Sequence, residues 1–251
     1  MKSSDWQKLI YQGEKNPSAY DREILKKNKI RLQKIQSYVA EEEGGKKILE
    51  IGCATGLISQ IFCAENEVCG LDLSDDLLAG AKSRGLRTVK ADLEEELPFK
   101  NDRFDLIIAS EIIEHVIDTD KLLCEINRVL KKDGKLILSV PNLRNFFSPW
   151  LLLFFDRPPV YSARYRSPHV RDFTYPLIKK ALSNNGFKIM KKTGSNFYLP
   201  FFWRLANSRL SSLFGRLFPT WSKELIVKAV KIKSSDYQPK EIFLNYKKGR
   251  L

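Results

Sequence analysis

The fold class that this sequence predicts is a doubly wound α/β domain, and three observations predict it. Short apolar runs alternate with helical patterns along the chain, the arrangement that sandwiches a parallel sheet between layers of helices. One such run passes straight into a glycine-spaced turn, Ile48-Leu49-Glu50-Ile51 followed by Gly52-Cys53-Ala54-Thr55-Gly56. Two others, Phe104 to Ser110 and Lys135 to Val140, are almost continuously apolar, as strands covered on both faces must be. With 251 residues, 43% of them hydrophobic, the chain can bury one sizeable core and has no need of two.

The elements follow in order. Tyr20 to Ala40 reads as a basic helix with apolar Ile24, Ile30, Leu32, Ile35 and Val39, a lid over the cleft, with Glu41 to Gly45 as its linker. At the turn, Gly52 and Gly56 let the backbone bend sharply and approach a ligand that a Cβ would hold off. An apolar helix is expected from Leu57 to Phe62, then a strand from Glu67 to Leu71 ending in Asp72. That acid stands close to the roughly 20-residue offset at which a carboxylate reaches ribose hydroxyls. The strand Phe104 to Ser110 precedes an amphipathic helix, Asp118 to Leu130, closed by Lys131 to Gly134. The strand Lys135 to Val140 is stopped by Pro141. A helix begins near Tyr175, and Lys223 to Ile232 returns as a strand beside Phe187 to Lys191.

The turn reads Glu-x-Gly-x-x-x-Gly and not Gly-x-Gly-x-x-Gly, and an acid ending the first strand suits a cofactor with a positive charge and an amino group. On these residues the chain resembles the class I S-adenosylmethionine-dependent methyltransferases, whose first motif is Glu/Asp-x-Gly-x-Gly-x-Gly; Ala54 replaces the middle glycine. The resemblance is close over residues 45–141. It implies a Rossmann-like, seven-stranded α/β sheet and S-adenosylmethionine held by Glu50, Gly52, Ala54, Gly56, Asp72, Leu73, Asp92, Leu93 and Ser110. Within Val89 to Leu93, Asp92 would reach the adenine amine and Leu93 would pack on the ring; capping a turn is the other reading of Asp92. The implied organisation is a helical lid (1–45), a core (46–192) with an insertion (142–174), a basic apolar insertion (193–222), a last strand (223–232) and a basic, poorly ordered tail (233–251).

A second constellation bears on the chemistry. Glu111, Glu114 and His115 stand at i, i+3 and i+4 after the strand ending at Ser110, a spacing that would share one face of a helical turn. The chain has two histidines, and the other, His169, falls on the same sheet edge, before the helix near Tyr175. Glu111, Glu114, His115 and His169 form a candidate divalent-cation set; Mg²⁺ prefers oxygen donors, and imidazole widens the choice to Mn²⁺, Fe²⁺, Co²⁺ or Zn²⁺. The pattern is similar to that of ubiquinone-biosynthesis O-methyltransferases and of small-RNA 2′-O-methyltransferases. Packing of the turn is the structural alternative. Without a metal, Glu111 or His169 is the candidate catalytic base.

Charge points to the acceptor. The net charge is +13, yet residues 1–140 carry 22 basic and 25 acidic side chains, while residues 141–251 carry 21 and 5. Large apolar runs accompany that basicity, Phe146 to Phe155 and Phe197 to Trp203, and Arg204 to Phe218 interleaves arginines with apolar residues. An anionic membrane interface and a phosphate backbone are the two partners such a surface fits, and the dominance of Leu and Phe favours the membrane. Plain packing on the core is the third reading. Cys53, Cys63, Cys69 and Cys124 lack metal or redox spacing. No run is long enough to span a bilayer and the N-terminus lacks a signal-peptide core, so a cytoplasmic protein, peripheral on the inner face of a membrane, is expected. The expected function is O-methylation of a lipid-like or amphiphilic small molecule, metal-assisted. Methylation of a sugar or cell-surface glycan, RNA methylation and S-adenosylmethionine binding without catalysis are the alternatives.

Overall fold

The computed structural model describes residues 17–145, 148–155, 169–197 and 209–237. Helix α1 (Pro17–Val39) leads to β1 (Lys47–Ile51), β2 (Glu67–Asp72), α2 (Asp75–Ser83) and β3 (Arg87–Lys90). Then come β4 (Phe104–Ser110), α3 (Thr119–Val129), β5 (Leu130–Pro141) and α4 (Ser148–Phe155). The chain closes with α5 (Tyr175–Asn184), β6 (Phe187–Gly194), α6 (Arg209–Leu217) and β7 (Glu224–Lys231). The strands form a seven-stranded sheet in the order β3-β2-β1-β4-β5-β7-β6. Strands β1 to β5 are parallel, and β7 runs antiparallel between β5 and β6.

The period-two alternation of the strands splits the core in two. Leu49, Ile51, Ile107, Ala109, Leu136 and Leu138 pack with Leu122, Ile126, Ile178 and Leu182 of α3 and α5. Their neighbours Ile48, Leu106, Ile108 and Ile137 pack with Leu32, Ile35 and Val39 of α1 and Leu78 and Ala81 of α2. Alternate residues of a strand point to opposite faces, so each strand feeds both layers. Each fully buried leucine or isoleucine contributes about 1.5–3 kcal/mol. Helix α3 is capped by Asp118, whose side chain accepts from the Lys121 N–H at 3.0 Å.

Three expectations change. The helix expected over 57–62 is a 3-10 turn at Gln60–Phe62, stopped where the Asn66 side chain takes the Phe62 carbonyl at 3.0 Å. Strand β5 begins at Leu130 and not Lys135: the break expected over 131–134 is a bulge, with Leu130 opposite Phe104 and Lys135 opposite Leu106, and Asp133 at φ +60 takes the bend. The tail docks at its start. Asn127 donates to the Lys233 carbonyl at 3.0 Å, Ser235 bonds Asn185 at 2.9 Å and Tyr237 donates to Asp118; residues 238–251 lie outside the described residues. So do the runs 146–147, 156–168 and 198–208, which include Trp203, Arg204 and most of the expected aromatic insertion.

Candidate active site

The carboxyl ends of β1, β2 and β4 open into a cavity of about 530 Å³, the edge at which parallel α/β sheets bind ligands. The turn after β1 forms its floor. Gly52 has φ +65, a conformation that favours glycine, and a Cβ there would press on the Ile112 side chain at 1.9 Å. Asp72, at the end of β2, accepts from the Ala54 N–H at 2.8 Å and the Ser74 N–H at 3.0 Å. Burial pushes its carboxyl above the usual range against those hydrogen bonds. Gly52, Ala54, Asp72, Leu73, Leu93 and Ser110 line the cavity.

The other expected cofactor residues stand behind that wall. Gly56 packs on Leu86 and Ala81 at φ +76 and serves the turn itself. Glu50 is 2% exposed, and its Oε2 has no hydrogen-bond partner among the described residues. Burial, opposed by hydrogen bonds from Ser59, pushes its pKa up to about 8. Asp92 is turned into its own loop, accepting from the Glu94 N–H at 3.0 Å. That is the capping geometry.

Opposite the glycine turn, the residues following β4 and the segment before α5 meet. Ile113–His115 is a single 3-10 turn, whose Glu114 carbonyl accepts from the Val170 N–H at 2.9 Å, and this clamp delivers His169. The His115 and His169 rings lie edge to face, centroids 4.9 Å apart. Glu114, His115 and His169 each present a ligand atom within 4.8 Å of the others'. Glu114 is 1% exposed, and neither carboxylate oxygen has a hydrogen-bond partner among the described residues. Burial, reinforced by Glu111, raises its pKa well above the ordinary value. Burial lowers that of His169 against the pull of Asp172.

Glu111 does not join this cluster. Its φ of +55 takes it out of the helical turn, and its carboxylate pairs with Arg31 of α1 at 2.9 Å while accepting from Ser139 at 3.1 Å. The pairing of Glu111 with its two neighbours on one helical face is therefore corrected: a left-handed residue cannot lie on a right-handed turn. Glu224, at the start of β7, stands 3.9 Å from the same guanidinium. Burial opposes the charge on Arg31, and Glu111, Glu224 and Glu114 outweigh it, raising its pKa.

A family model described as a methyltransferase domain matches residues 49–138. The ubiquinone biosynthesis O-methyltransferase of Coxiella burnetii is 26% identical over 73% of this chain and 80% of its own length. An uncharacterized protein of Methanocaldococcus jannaschii is 30% identical over 50% of this chain, and the match spans 57% of that relative. Among solved structures, a S-adenosylmethionine-dependent methyltransferase of Thermotoga maritima, a possible histamine N-methyltransferase, superposes with a TM-score of 0.63 at 20% identity, covering 89% of this chain and 98% of that one. Residues 49–138 match a methyltransferase domain, and the chain has the class I S-adenosylmethionine-dependent methyltransferase fold. A putative methyltransferase of Haloferax volcanii, solved with the Trm112 activator, has the same fold at TM-score 0.64 and 15% identity, covering 90% and 98%.

The lid also contributes to the site. Tyr20, Ile24 and Arg31 line the cavity; Tyr20 and Ile24 stand one turn apart, and Arg31 follows the kink of α1 at Asn28. Sequence reasoning found the lid but not these side chains, since a basic helix offers many candidate faces. The Arg31 partners lie far away in sequence, and only the folded chain puts Glu111 and Glu224 beside it.

Proposed function

We propose that this methyltransferase transfers a methyl group from S-adenosylmethionine to a hydroxyl oxygen of an amphiphilic small-molecule acceptor. The observation that carries the reading is the Glu114–His115–His169 cluster on the cavity wall facing the glycine turn. A hydroxyl must lose its proton as it attacks, so an oxygen acceptor needs a base at that wall. The residues of the donor half that line the cavity fit the cofactor: a glycine approach at Gly52 and the Asp72 carboxylate at the end of β2. When bound, the sulfonium supplies an electrophilic methyl group. The protein then contributes position and proton transfer. Tyr20 and Ile24 cover the cavity, Arg31 and Glu111 fix its polar wall, and the His169 imidazole, neutral at pH 7 through its lowered pKa, takes the acceptor proton.

A metal-assisted form of the reaction has its own support. The buried Glu114 carboxylate, whose oxygens have no hydrogen-bond partner among the described residues, lies beside two imidazoles and makes with them an N₂O donor set that fits Mn²⁺, Fe²⁺, Co²⁺ or Zn²⁺ better than Mg²⁺. Such an ion, held by Glu114, His115 and His169, would lower the pKa of a hydroxyl.

The test measures methyl transfer from labelled S-adenosylmethionine to long-chain alkyl catechols and to the matching alkyl anilines, alongside S-adenosylhomocysteine calorimetry. Catechols should be methylated, and His169→Gln should lower that rate by about 100-fold or more with S-adenosylhomocysteine affinity unchanged. The rate should fall with a limb centred below pH 6.5 as His169 gains its proton. Methylation of anilines alone would overturn the oxygen assignment. Elemental analysis separates the two forms: an ion present in the wild type and lost in His169→Ala supports the metal, and a metal-free active enzyme removes it.

A further inference from the structure

Helix α6 is built the wrong way round for a helix that packs on a soluble core. Its inward residues are Ser211 and Gly215. Ser211 exchanges hydrogen bonds with the Phe197 backbone, both at 3.0 Å, and a Cβ on Gly215 would lie 2.8 Å from the Gly194 and Ser195 carbonyls. Its leucines face outward instead: Leu210, Leu213 and Leu217 are 42%, 50% and 60% exposed, and Phe218 and Trp221 just beyond are 49% and 37% exposed. At 3.6 residues per turn the three leucines share one stripe, with Arg209 and Arg216 along its flank. The Arg144 guanidinium covers the Trp221 ring at 5.1 Å. On α4, Trp150, Leu153 and Phe154 are also more than half exposed.

We propose that the outward face of α6, with Phe218 and Trp221, docks on an anionic phospholipid surface. Exposed leucines and aromatics enter the headgroup boundary, and the arginines beside them meet lipid phosphates. Charge selects this occupant over a second copy of the chain. Residues 141–251 carry 21 basic and 5 acidic side chains, so two such faces brought together would repel, whereas an anionic bilayer attracts either. The position of the face fits an amphiphilic acceptor, and this part rests on the function proposed above. Gly215 packs on Gly194 at the end of β6, Gly194 pairs with Leu225 of β7, and the adjacent Glu224 reaches Arg31 in the cavity wall. A docked α6 therefore sets the edge of the acceptor site at the lipid surface.

The experiment is co-sedimentation of the full chain with phosphatidylcholine vesicles, with and without phosphatidylglycerol, at low and near-physiological salt. Binding should require phosphatidylglycerol. Leu213→Glu with Leu217→Glu, and separately Arg209→Glu with Arg216→Glu, should each weaken it by about tenfold while S-adenosylhomocysteine affinity stays at the wild-type value. Retention in the supernatant with anionic vesicles at low salt overturns the proposal. So does equal binding to neutral vesicles, or a wild-type dimer that Leu213→Glu dissociates, the latter assigning the face to a second copy. Because no methyl acceptor is involved, failure of the catalytic reading leaves the vesicle result standing, and the converse holds.

Discussion

Two buried acids, Glu50 and Glu114, are held far from the ordinary behaviour of a carboxylate. Each is at most 2% exposed, and each has an oxygen without a hydrogen-bond partner among the described residues. A carboxylate so placed is costly unless it is protonated or met by a cation. For Glu50 the consequence can be measured in the cofactor-free protein. Its folded pKa of about 8 lies above the ordinary 4.5, so its contribution to stability is fully present below pH 4.5 and is lost as pH rises through about 8. Thermal unfolding should therefore show wild-type stability falling relative to Glu50→Gln across that window. Parallel curves would mean that Glu50 titrates normally in the folded protein. Sequence marked Glu50 by its place before Gly52, but not its burial, which depends on the neighbouring strands. Glu114 was marked by spacing, and its meeting with His169 depends on backbone hydrogen bonds to Val170 and Arg171.

Among the elements, the turn after β1 shows how a departure from a motif is accommodated. Ala54 occupies the middle glycine position and does so at φ +45, a left-handed conformation that costs a non-glycine residue about 1–2 kcal/mol. The Asp72 carboxylate holds it there through the Ala54 N–H. Ala54→Gly should relieve that strain, offset by about 0.5–1 kcal/mol of backbone entropy, giving a net gain of up to about 1.5 kcal/mol in denaturant unfolding. A fall in S-adenosylhomocysteine affinity would show instead that the methyl group touches the ligand. Helix α3 and strands β1 and β4 were readable because their apolar periodicities match their surroundings. Helix α6 was visible as an amphipathic stretch, but which face turns inward was not: periodicity records that two faces exist, and packing of Gly215 against Gly194 decides which one is covered.

Across the whole molecule, Arg31 ties the lid to the sheet. One guanidinium, with a side chain 9% exposed, joins α1 to Glu111 after β4 and to Glu224 at the start of β7. Asp21 of the same helix adds a second tie, bonding Thr55 at 2.5 Å and pairing with Arg84. Removing one partner of a buried ionic cluster leaves uncompensated charge, so Arg31→Met should cost about 3–5 kcal/mol in chemical denaturation, and adding Glu111→Gln should recover part of it. A neutral Arg31→Met would show that the cluster is solvated. The sequence by itself determined the layered α/β architecture, the glycine turn and the histidine and carboxylate candidates, because periodicity, glycine spacing and the succession of strands and helices are local properties of the chain. Only the tertiary structure decided that Glu111 turns to Arg31 while Glu114 gathers the two histidines, that Glu50 lies sealed behind the turn, and that the leucines of α6 face outward. Those outcomes depend on charges and surfaces brought together from separate elements of the chain, where desolvation and steric fit outweigh any preference encoded along it.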